Sequence, residues 1–128
     1  MMRPFEIPEG TPVMLGAPTE PMDPSISDAL GELTSSIEGI VEAHLPQCFV
    51  LGVMEKPAQI LVVVIDQMVE PKIVFERIGE GLRRILPSGQ SLDVWPMDKE
   101  HALLGNVRAA GCQITSAFAQ PRANTGNR

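Results

Sequence analysis

The chain has 128 residues, enough for one domain that buries a core without metal or disulfide staples. A formal charge of −6 repels phosphate backbones, and 4% aromatics with no Tyr offer few rings for base stacking, which excludes nucleic acid as an expected partner. No stretch reaches the roughly 20 apolar residues of a membrane helix, and the start MMRPFEIPEG lacks the basic and apolar regions of a signal peptide, so a cytoplasmic protein with no membrane partner is expected.

Residues 1–9, with Pro4 and Pro8 and no periodicity, are expected to be a flexible lead-in to a single domain over 10–119. The segment Thr11 to Gly16 predicts a short strand. A Pro-rich connector then reaches Asp23, which can cap a helix beginning at Pro24. Ile26, Leu30, Leu33 and Ile37 recur at helical spacing, and Gly39 stops the helix. From Ile40 to Met54 the chain is extended, and the alternation of Val41, Ala43 and Leu45 with Glu42 and His44 predicts that half of it faces water. Pro46 cannot donate to a ladder, so this stretch reads as an edge strand or a bulged one.

Glu55-Lys56-Pro57-Ala58 turns the chain into Ile60 to Ile65, an unbroken aliphatic run typical of a central strand covered on both faces. The two extended stretches are expected to pair as a hairpin. A second helix opens at Glu70 and Pro71, keeps Phe75, Ile78, Leu82 and Ile85 on one stripe, and ends at Pro87-Ser88-Gly89. Gly79 and Gly81 inside it predict a close approach to the sheet. A strand over Leu92 to Met97 follows, then Asp98 as the cap of a short helix ending before Gly111, and a disordered tail over 120–128.

The order β-α-β-β-α-β with an added C-terminal helix predicts an α+β, ferredoxin-like sandwich whose four-stranded antiparallel sheet runs 4-1-3-2. Leu61, Val63 and Ile65 point opposite to Ile60, Val62 and Val64, and helices cover only one face of such a sheet. Leu61, Val63 and Ile65 are therefore the candidate interface of a homodimer, with the short helix around Leu103, Leu104 and Val107 as the competing cover.

Chemistry is sparse. His44 and Cys48 lie about 13 Å apart on an uninterrupted strand, and no compact Cys or His pair accompanies them, so neither zinc nor any cofactor is expected. Cys48 and Cys112 read as small core residues. The serines sit where hydroxyls cap helices and turns, no G-x-S-x-G elbow is present, and neither His44 nor His101 is singled out as a base. Asp66, just after the central strand, is a position where functional carboxylates occur, although most such residues end a strand in solvent. Arg83 and Arg84 complement a helix C-terminus. The predicted inner strands carry no aromatics, against an RNA-recognition module, and Gly16-Ala17-Pro18-Thr19 stands where a metallochaperone has Cys-x-x-Cys.

The succession EGTPVMLG, IVEAHL, ILVVVID and LPSGQSLDVWPMD resembles the C-terminal domain of the enhanced serine sensitivity protein family, SseB, over Glu9 to Leu104. The resemblance implies a bacterial protein with no established enzymatic activity, since the family name describes a phenotype. The expectation is a non-enzymatic interaction or assembly module with an unknown protein partner. The alternative is a small-molecule (amino-acid) sensing domain resembling ACT-type modules, whose turn after the first strand often contains Gly or Pro, as Gly16 and Pro18 do here.

Overall fold

The run at Ile60 to Ile65 sits at the centre of a computed structural model that describes residues 2–4 and 10–116; the tail expected over 120–128 lies outside the described residues. The elements are β1 (Met2–Pro4), β2 (Val13–Gly16), α1 (Pro24–Ser36), β3 (Ile40–His44), β4 (Gln47–Val50), β5 (Ala58–Gln59), β6 (Leu61–Ile65), α2 (Pro71–Ile85), β7 (Leu92–Met97), α3 (Leu104–Ala109) and β8 (Gln113–Ser116). Residues 2–4, assigned by sequence to the lead-in, pair in parallel with Leu92–Val94.

The α+β class is as expected, but the architecture is not the four-stranded antiparallel sandwich. A five-stranded mixed sheet runs β1-β7-β6-β3-β8, and a separate three-stranded sheet runs β2-β4-β5. In the mixed sheet β1, β7 and β6 are parallel, while β6, β3 and β8 are antiparallel. The strand at Val13–Gly16, expected inside the main sheet, pairs with β4 instead. With nothing inserted between them, β6 and β7 lie side by side, joined by the α2 crossover.

Pro46 explains the division. It lies between β3 and β4, and its carbonyl accepts from the Ile60 N–H at 3.0 Å, beside the boundary between β5 and β6. Both arms of the hairpin therefore change sheet at one level: β3 pairs with β6 in the large sheet and β4 with β5 in the small one. A proline, having no N–H to contribute, fits such a corner. The edge-strand expectation for Ile40 to Met54 fails because β8, a segment not predicted from sequence, takes the edge beside β3.

The helices form as their sequences dictate. The Asp23 carboxylate accepts from the Ser25 N–H at 2.9 Å, with Pro24 at the first helical position. Leu30 of α1 and Val74, Ile78 and Leu82 of α2 cover one face of the large sheet. A Cβ on Gly81 would overlap the Leu33 side chain, so the close approach is between α1 and α2 rather than to the sheet. The other face is closed by the small sheet and α3: Ile60, Val62 and Val64 meet Cys48, Val50, Leu104 and Val107. Three layers thus enclose the aliphatic strand on both sides.

Candidate functional site

Leu61, Val63 and Ile65 belong to the core under α1 and α2, all three buried by their own chain. They are not on the surface, and the strand's opposite side chains are covered as well. The open sheet face that motivated a homodimer is absent from the described fold, because two cover layers were available where the ferredoxin-like arrangement supplies one.

Between the large sheet and α3 lies a polar cluster that the sequence pattern placed in water. Glu42 and His44 are 5% and 0% exposed. Arg108 of α3 grips the Glu42 carboxylate with two hydrogen bonds of 2.8 Å, from Nε to Oε2 and from Nη2 to Oε1. His44 Nε2 lies 2.6 Å from Oε2 of the same carboxylate. A carboxylate only accepts, so Nε2 carries a proton, and the buried Nδ1 has no partner among the described residues. The Arg108 guanidinium, above all, holds the Glu42 carboxyl below its ordinary range, against the opposing effect of burial. Arg108 itself is half exposed, so this cluster fastens α3 to the sheet and leaves the pair behind it closed to solvent.

The small sheet has one covered and one open face. Cys48 and Val50 point inward, whereas Met14 and Phe49, direct cross-strand partners, point outward. Met14 is 57% exposed, and in the turn beyond the end of β4 Leu51 and Val53 are 57% and 53% exposed. A groove of about 440 Å³ crosses this face between Met14, Phe49, Gln47, Glu55 and Pro57. Thr19 donates to the Gln47 side chain from its N–H and hydroxyl at 3.2 and 3.3 Å, which brings the connector carrying Glu20 to the groove.

A second concavity, of about 460 Å³, opens at the carboxyl ends of β6 and β7. Asp66, the carboxylate singled out after the central strand, lines it together with Asp98 and His101. Each aspartate closes a turn through Oδ1, accepting from the Met68 N–H at 2.9 Å and the Glu100 N–H at 2.8 Å. Asp98 thus caps a turn ahead of α3 rather than the helix itself, which starts at Leu104. His101, which the sequence does not single out as a base, stands with its ring edge-on to Trp95 at 5.5 Å.

His44 and Cys48 fall in different sheets. Among the described residues no group of three or more His, Cys, Asp or Glu side chains could hold a metal ion. Cys48 is buried, and loss of solvent followed by the negative charge of Asp93 pushes its thiol up to about 11, leaving it un-ionised and unreactive at neutral pH. Cys112 is also raised by burial. Arg83 and Arg84 lie in the last turn of α2, where they complement the helix dipole. No described helix is long and apolar enough to cross a membrane.

A helical layer, a mixed sheet and a smaller antiparallel sheet define a three-layer α+β domain. Residues 7–111 match the SseB protein C-terminal domain, and the chain belongs to that family. No curated protein and no solved structure matches it.

Proposed function

We propose that this domain is a non-enzymatic protein-interaction module that receives an apolar segment flanked by basic residues on the outer face of the small sheet. The observation that carries the reading is the groove lined by the exposed Met14 and its half-buried cross-strand partner Phe49, on the outer face of a sheet whose other side is already packed. A carboxylate selects the flanking chemistry: Glu55 is the one charged residue lining the groove, and the neighbouring Lys56 is exposed and does not line it. A two-fold pairing through this face would bring Glu55 against Glu55, which favours a different chain as the partner.

Selection of displayed 15-residue peptides on the immobilised protein tests this reading. Enriched peptides are expected to combine large apolar residues with Lys or Arg, and to lose binding to Met14→Lys while that variant keeps its melting temperature. Failure to enrich any sequence, enrichment of acidic peptides, or equal binding to Met14→Lys would refute it.

A further inference from the structure

The described sheets end in four edge strands, β1 and β8 on the large sheet and β2 and β5 on the small one. An edge strand carries a row of free backbone donors and acceptors, and native proteins guard such rows with charge, proline, shortness, bulges or a covering element. Three of the four are guarded. β1 contains Arg3 and Pro4. β8 packs against α1: a Cβ on Gly31 would stand 3.3 Å from the Ile114 carbonyl oxygen, the Thr115 hydroxyl donates to the Gly31 carbonyl at 3.0 Å, and the register with β3 shifts between Ala43 and His44. β5 is two residues long, and its Gln59 side chain accepts from the Met22 N–H at 3.0 Å.

β2, with the sequence Val-Met-Leu-Gly, has no charge, no proline and no break in its register. Its ladder phase follows from the Leu51 N–H, which donates to the Pro12 carbonyl at 3.3 Å. With Val13 opposite Val50, the main-chain groups of Pro12, Met14 and Gly16 point to β4, and the N–H and C=O of Val13 and Leu15 point away from it. The missing N–H of Pro12 therefore falls on the ladder side and does not blunt the outer edge. Those four groups of Val13 and Leu15 make no hydrogen bond among the described residues. Both residues stay half-buried, while Cys48 and Val50 beside them in β4 are fully buried, which fits a strand left open along its outer edge.

We propose that this edge takes up an extended strand from another chain, so that the segment received by the groove is bound as a fourth strand of the small sheet. The inference rests on the groove reading and specifies its mode. Donors and acceptors alternating along an open edge recognise peptide backbone, the chemistry of strand addition. Met14, Leu15 and Gly16 form the edge and also line the groove, so an added strand sets alternate side chains beside Met14 and Gly16 on the outer face. A Cβ at Gly16 would meet nothing within 4 Å, which leaves room there for a large apolar side chain of the incoming strand. Glu55, on the same groove, draws its basic flank.

Amide hydrogen exchange followed by NMR on the full chain tests the edge before any ligand is added. The Val13 and Leu15 amides should exchange at least about tenfold faster than that of Met14, which belongs to the ladder. Rates no faster than that of Met14 would mean a covered edge, and protection that grows with protein concentration would give the edge to a second copy; either overturns the proposal. The probe is then the peptide acetyl-RTFTLTR-amide, expected to slow exchange at Val13 and Leu15. Two N-methylated forms follow, one with methyl groups on its Thr nitrogens and the other on its Phe and Leu nitrogens. In a strand these two sets of amides point to opposite edges, so one form should bind about tenfold more weakly and the other like the parent. Shifts confined to Met14 and Phe49, with both forms binding equally, would remove the added strand and leave the groove reading intact; no response at any amide would remove both.

Discussion

The two faces of the central strand are closed by different means. On the helical side Leu61, Val63 and Ile65 meet Leu30, Val74, Ile78 and Leu82, aliphatic against aliphatic with no charged residue in the cluster. On the other side Val62 and Val64 share their layer with Trp95, Cys48 and Met97, and the nearby Glu42 and His44 pair is buried under Arg108. Beyond that layer the small sheet turns a second, apolar face outward. Closing a core needs only the first kind of face. The second kind, with a buried carboxylate held by His44 and Arg108, is the costlier one.

The severest way to break the helical side is Val63→Asp. It places an unpaired carboxylate among packed aliphatics at several kcal/mol, comparable with total stability, and soluble expression should be lost. A variant with wild-type melting would show that the side is not the scaffold described. On the polar side Arg108→Ala should cost about 1–2 kcal/mol, because it removes both hydrogen bonds to a buried carboxylate from a partner that is itself half solvated.

The pH dependence of that loss has a definite sign. Arg108 depresses the folded value of Glu42, so the stabilisation is complete above the unfolded carboxylate value, about 4.3, and disappears as pH falls through the lower folded value. Thermal melts between about pH 7 and about pH 2, which bracket the ordinary carboxylate range, should converge for wild type and Arg108→Ala at the acid end. A difference that persists there unchanged would exclude the ion pair as its source.

Smaller still is Met14→Lys, expected to alter stability by less than about 0.5 kcal/mol since the side chain is mostly in solvent. A large loss would mean that the outer face of the small sheet is covered. The last expectation is an absence of effect: with both faces of β6 closed internally, light scattering should give a mass near 13.9 kDa at micromolar concentration. A value twice that would restore a second copy as the occupant of some surface.

Local signals were legible. Asp23 and Pro24 start α1, and the spacing of Ile78 and Leu82 identifies the buried side of α2. The aliphatic run announces the central strand, and its pairing with the preceding extended stretch was also predictable. Sheet membership was not, because Pro46 is equally compatible with an edge and with a corner, and only long-range pairing decides between them. The edge strand β8 has just Ile114 as a large apolar residue, too little alternation to read. Glu42 and His44 alternate with apolar neighbours as solvent-facing residues do, while the Arg108 that accompanies their burial is 66 positions from Glu42. Asp66 was visible as a carboxylate after a strand, but its meeting with Asp98 and His101 depends on the parallel pairing of β6 and β7.

The corner at Pro46 and Ile60 bears on how a partner is met. Since both arms of one hairpin pass from the large sheet into the small one at the same level, the layers are stitched by two continuous backbones and by the Ile60 to Pro46 hydrogen bond. They cannot shear past each other without breaking ladder bonds in both sheets. A groove on the small sheet is therefore held in shape before anything arrives. Association with the proposed segment would draw little on the ordering entropy of this chain, and whatever adaptation the fit requires would fall to that segment.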